Sequence, residues 1–152
     1  MAIVAYAQLS DVQAYFTNFT IGASTTPSTA QVEEWLELYC SIINGLLSSK
    51  GITVPISSTA SPNSFNIVKK MNEGAAAALA ANAMYYGIEP ADNKIAEQCS
   101  AEYNTLYTAI EKSPRFLYDA TITKPAIKSF AIDEYGSVDD APAARVEFDQ
   151  EF

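Results

Sequence analysis

Histidine is absent from this 152-residue chain, and with it the side chain that most often serves as general base, metal ligand or triad member near neutral pH. The remaining nucleophiles have no activating partner in the pattern around them, so the sequence reads as that of a non-enzymatic protein. Cysteine is nearly absent too. Cys40 and Cys99 have no Cys-x-x-Cys spacing and no histidine to complete a zinc set, and they read as buried, reduced thiols acting as small hydrophobes. Positive charge is scarce: nine Lys and Arg stand against eighteen Asp and Glu, a net charge of -9. A chain of pI about 4.3 repels phosphate backbones. Only six glycines occur, and none forms a phosphate-cradling or dinucleotide-binding motif. No apolar run approaches the roughly 18 residues of a membrane span; even the stretch from Gly74 to Gly87 is short and contains Asn82. The first residues carry no Lys or Arg and are interrupted by Gln8, Ser10 and Asp11, which does not describe a signal peptide. The expectation is a soluble protein made in the cytosol, with no cofactor, metal or membrane partner. Carboxylate pairs such as Glu33 with Glu37, or Asp139 with Asp140, read as solvated surface rather than as a cation site.

About half the residues are apolar, 49%, enough for a core in one domain of this length. Their spacing is helical. Leu9-Ser10-Asp11-Val12-Gln13 predicts a short helix to about Phe16, capped by Ser10 with Gln13 returning a bond and Leu9 as the staple residue. A breaker-rich loop, Gly22 to Pro27, follows. Ser28 or Thr29 opens a long helix in which Val32, Leu36, Tyr39, Ile43 and Leu46 form a stripe widened by Trp35, Ile42 and Leu47. It stops at Lys50 and Gly51. Residues 51–61, β-branched around Pro55, predict an extended surface segment.

Ser61-Pro62 caps and opens a third helix expected to reach Tyr86 and end at Gly87. Its inward face runs through Phe65, Val68, Met71 or Asn72, Ala75, Leu79 and Ala83, with small residues that let a neighbour approach. A fourth helix is expected from Ala91-Asp92 to about Lys112, with Ile95, Cys99, Tyr103, Leu106, Tyr107 and Ile110 on one face. Tyr39, Tyr85, Tyr86, Tyr103 and Tyr107 all fall on helices, where tyrosine serves a core rim or a protein interface equally well. The fold class is therefore mainly α: a four-helix, antiparallel-type body over residues 1–118, followed by an extended, partly strand-forming arm over 119–152.

From Asp133 onward the chain carries seven acidic residues against Arg145 alone, six of the nine excess negative charges. Such composition suits a solvated acidic tail. Yet Ile127, Phe130, Ile132, Tyr135, Val146, Phe148 and Phe152 are large apolar side chains that a solubilising tail does not need. Val146 and Phe148 alternate with Glu147 and Asp149 as in a strand, a pattern that can add to a partner's sheet edge or fill alternate pockets. These seven residues are the candidate partner-binding set, on an arm that orders when it docks.

Three segments carry a family resemblance: Ala5-Tyr6-Ala7-Gln8-Leu9-Ser10-Asp11-Val12-Gln13, Thr25-Thr26-Pro27-Ser28-Thr29-Ala30-Gln31-Val32-Glu33, and Met71-Asn72-Glu73-Gly74-Ala75-Ala76-Ala77-Ala78-Leu79-Ala80. In their order and spacing they resemble head-tail connector proteins of long-tailed bacteriophages, over roughly Ala5 to Gly87. The resemblance implies an adaptor in the virion neck, made in the host cytoplasm. Such adaptors form a ring, usually of twelve copies, beneath the portal protein of the DNA-filled head and provide a platform for a stopper or tail-completion protein. It implies no catalysis, and DNA that passes through without specific binding, which an acidic lumen favours. Other readings stay open: another virion component, such as a minor capsid or tail-completion protein, or a cytosolic acidic module that mimics nucleic acid.

Overall fold

Helix boundaries follow the capping chemistry, with shifts at two of the four starts. The computed structural model describes residues 4–85 and 93–123, and these are mainly α-helical: α1 Leu9–Gln13, α2 Thr29–Ser49, α3 Pro62–Met84 and α4 Lys94–Lys112, then a 3-10 turn at Pro114–Phe116. Among the described residues there is no strand; Ile52 and Ile122 form an isolated antiparallel bridge.

The first helix starts earlier than the Ser10 cap implies. Gln8 is its N-cap, and the Asp11 carboxylate accepts the Gln8 N–H at 2.8 Å. A carboxylate three residues into the helix satisfies that donor more strongly than a hydroxyl and complements the positive helix end. Leu9 thus lies inside the helix and not at a staple position. Gln13 organises the following loop instead of a cap: its Oε1 accepts the Ile21 N–H at 2.7 Å, and its Nε2 donates to the Phe16 and Phe19 carbonyls.

Ser28 caps α2 through a capping box with Gln31. At the other end Ile52 N–H donates to Leu47 O and Gly51 N–H to Ser48 O, both at 3.0 Å, the paired bonds of a Schellman stop. Gly51 has φ 74°, a left-handed conformation that glycine alone adopts at little cost. Asn93 caps α4 by accepting the Ala96 N–H at 3.2 Å, so that helix begins later than Ala91-Asp92. The third helix ends at Met84 with Tyr85 as its C-cap, short of Tyr86.

The core lies in two clusters, one toward each end of the body. The first joins Val12, Val32, Leu36, Ala76, Ala77, Ala80, Ala81, Ala96 and Cys99. The second joins Cys40, Ile43, Leu47, Ile52, Val68, Met71, Ile110 and Leu117. The early part of α2 thus meets the late part of α3 and the early part of α4, while the late part of α2 meets the early part of α3 and the late part of α4. That pairing makes α3 antiparallel to both α2 and α4. The third helix packs against the other three, and its alanine run is buried nearly all round, as a helix without a polar face must be. A β-carbon built on Gly74 would touch the Cys99 carbonyl oxygen at 3.7 Å, the close helix approach that the small residues allow.

Three further sequence expectations change. Residues 51–61 do not simply run over the surface: Ile52 and Ile56 are core residues, because an extended segment can turn alternate β-branched side chains inward while Thr53 and Pro55 stay exposed. Ile42, assigned to the buried stripe of α2, is exposed. The sequence divides the chain after residue 118, whereas all four helices belong to a compact unit that runs from Met1 to Ile122. Asp119 shows why: its carboxylate accepts the N–H groups of Asn63 and Ser64, each at 2.9 Å, and the Ser64 hydroxyl. The side chain of Ser61, the N-cap of α3, makes no capping bond and donates instead to the Asp119 carbonyl at 2.9 Å. The orphan donors of α3 are therefore capped from a residue more than fifty positions away.

Candidate protein-interaction surface

The seven arm residues, Ile127, Phe130, Ile132, Tyr135, Val146, Phe148 and Phe152, lie outside the described residues. Beside the scattered Val4, Phe19 and Tyr85, the described body groups its exposed large apolar side chains in two places. One is the outer side of α2. Helical spacing of four puts Glu34, Leu38 and Ile42 on one ridge, and Leu38 and Ile42 are 51% and 41% exposed. A β-carbon on Gly45, the next step along this side, would meet nothing within 4 Å.

Toward α4 the ridge borders three half-buried tyrosines. The Tyr39 and Tyr103 rings pack edge to face with centroids 5.4 Å apart, and Tyr103 and Tyr107 follow at 5.9 Å. Such pairs add roughly 0.5–1.5 kcal/mol beyond the area they bury. Desolvation, helped by the neighbouring phenols, pushes the Tyr103 hydroxyl up to about 12, so it stays neutral and able to donate. Half-buried, mutually packed tyrosine rings suit a protein interface.

The second place is the end of the body where α2 and α4 both terminate. Phe116, Tyr118 and Ile122 are exposed there, Tyr118 to 71%. Lys112 and Arg115 are exposed on the same short stretch, and Lys50 ends α2 beside Gly51 and Ile52, which bridges Ile122. Among the described residues none of these three cations is in an ion pair. Glu111 is exposed beside them, while the Asp119 carboxylate is occupied by the α3 N-terminus.

The Lys69-Lys70 pair offers no comparable free charge. Lys69 binds Asp11 at 2.9 Å, where the bonds from Lys69 and the Gln8 N–H outweigh desolvation and hold the Asp11 carboxyl below its ordinary range. Lys70 donates to Tyr15 and Glu73 and lies 4.8 Å from the Tyr15 ring centroid. Tyr15 in turn donates to Glu73 at 3.1 Å. Partial desolvation opposes the charge on Lys70, but these bonds outweigh it and raise its pKa. The cluster ties α1 to α3, and Glu102 of α4 lies 3.9 Å from Lys70.

Cys40 and Cys99 are free and buried. They sit in different core clusters, where desolvation raises both thiol pKa values and leaves little reactive thiolate. No group of three or more His, Cys, Asp or Glu among the described residues is placed to hold a metal ion. No helix among the described residues is long and apolar enough to cross a membrane.

Sequence periodicity placed Ile42 in the buried stripe because it lies at the margin of a wide apolar face, while Leu38 falls outside that stripe. Their shared spacing with Glu34 and Gly45 is the signal that identifies the outer ridge. Compared with known proteins, the chain matches no family model, no curated protein and no solved structure.

Proposed function

We propose that this chain is a structural adaptor of a phage neck, forming a ring beneath the portal protein and linking the DNA-filled head to a stopper or tail. One observation carries the reading. The three segments that resemble head-tail connectors, though distant in sequence, converge on a single packing unit. Asn72 accepts the Ala7 N–H at 3.0 Å and donates to the Leu36 carbonyl at 2.9 Å, while Val12, Val32 and the alanines of α3 share one core cluster. The resembling residues thus act together as the packing determinants of one helical body, as a fold signature does. Exposed apolar patches at two separate places on that body suit a protein that works by contact with its neighbours.

The charge supports the second half of the proposal. With a net charge of -9 and Lys69 and Lys70 both engaged by carboxylates, the chain as a whole repels duplex DNA during passage, and the small basic end at Lys50, Lys112 and Arg115 is assigned below to a protein contact. The test is to purify phage particles from cells that make this chain and locate it by quantitative mass spectrometry and cryo-electron microscopy. The expected result is a fixed, ring-like copy number at the head-tail junction, in contact with the portal. Its absence from mature particles overturns the proposal.

A further inference from the structure

We propose that the acid-flanked ridge of α2, built from Glu34, Glu37, Leu38 and Ile42, docks onto the basic-apolar end of a second copy, built from Lys112, Arg115, Phe116 and Tyr118. The proposal rests on the ring reading above and names the contact that builds the ring. Its basis is complementarity between two surfaces of the same chain. Glu33, Glu34 and Glu37 are all exposed and flank Leu38 and Ile42, which have no covering element among the described residues. At the other surface Lys112 and Arg115 are exposed and without ion pairs among the described residues, beside the exposed rings of Phe116 and Tyr118.

Within one copy the acidic part of the ridge lies far from the basic end. Sixteen residues separate Glu34 from Lys50 along α2, about 24 Å at 1.5 Å per residue, and Lys50 marks the end where Lys112 and Arg115 also lie. A contact between unlike patches made once per pair of copies is heterologous, and a heterologous contact whose rotation closes produces a ring. Like patches facing each other would oppose carboxylates to carboxylates, which disfavours a two-fold dimer through the same residues. Leu38 and Ile42 against Phe116 and Tyr118 supply the apolar centre, and the charges supply register.

Charge reversal tests this on the full chain. Sedimentation velocity and native mass spectrometry would follow self-association of the wild type, of Glu34→Lys with Glu37→Lys, of Lys112→Glu with Arg115→Glu, and of an equal mixture of the two reversed chains. All four sites are exposed, and circular dichroism would verify that each variant is folded. Each reversed chain alone should associate at least about tenfold more weakly than the wild type, with the wild-type association weakening as salt rises. The mixture should recover to within about threefold, since every contact in an alternating assembly again pairs opposite charges. A wild type that stays monomeric, reversed chains that associate like the wild type, or a mixture no better than its components each overturns the proposal. Association that obeys this pattern in a chain absent from phage particles retains the interface and overturns only the neck reading.

Discussion

Replacing Asn72 by alanine should unfold more of this protein's stability than removing a core methyl group. Asn72 is fully buried, and its amide joins three parts of the body: Oδ1 accepts the Ala7 N–H at 3.0 Å, and Nδ2 donates to the Leu36 carbonyl at 2.9 Å. In Asn72→Ala the Ala7 N–H loses its buried partner, which costs about 1–3 kcal/mol, and the second bond contributes roughly 1 kcal/mol net. The space left by the amide, beside alanines too small to collapse into it, adds about 1 kcal/mol. The sum is about 3–5 kcal/mol, set against the 5–15 kcal/mol typical of a whole domain. Urea denaturation should therefore show a midpoint lowered by roughly 2 M at an unchanged slope. Asn72→Asp offers a control, because it keeps the acceptor for Ala7 but loses the donor and buries a charge; it should be at least as destabilised at neutral pH and recover partly on acidification. A loss under about 1 kcal/mol for Asn72→Ala would refute the reasoning, as would rapid amide exchange of Ala7 in the wild type, since both mean that water satisfies this N–H.

Leu36→Ala, at a buried α2 position touching the alanine cluster, should cost about 2–5 kcal/mol in the same denaturation assay, and a cost under half a kcal/mol would place Leu36 on an exposed side. Asp119→Ala should lower the melting temperature while leaving the far-ultraviolet helix signal of the folded state nearly unchanged, because it uncaps α3 without removing core. Desolvation tends to raise the Asp119 pKa, but the bonds from Ser64 and Asn63 outweigh it and hold the carboxyl below its ordinary value. A depressed folded-state pKa makes this contribution present above the ordinary carboxylate range and lost as pH falls from about 4 through the folded value, so the wild-type advantage over Asp119→Ala should shrink in acid melts. A chain ending at Thr123 should melt like the full chain, whereas one ending at Tyr118 should melt lower because it lacks Asp119 and the Ile52–Ile122 bridge.

The sequence by itself determined the helical class, the number and approximate span of the helices among the described residues, the free, buried cysteines and the stop at Gly51. These depend on local properties: apolar spacing near 3.6 residues, capping side chains within three positions of a helix start, and the conformational freedom of one glycine. Tertiary structure alone decided what local spacing cannot contain. Asp119 caps a helix that begins 57 positions earlier, because the orphan N–H groups of a helix start accept any carboxylate the fold brings to them. Met71 and Asn72, alternatives at one place in the pattern, are both fully buried; Asn72 turns inward because an N–H at Ala7 and a carbonyl at Leu36 meet its amide there. Ile52 and Ile56 enter the core while Leu38 and Ile42 stay outside, since burial depends on whether a neighbouring element covers a side chain and not on the side chain's own hydrophobicity.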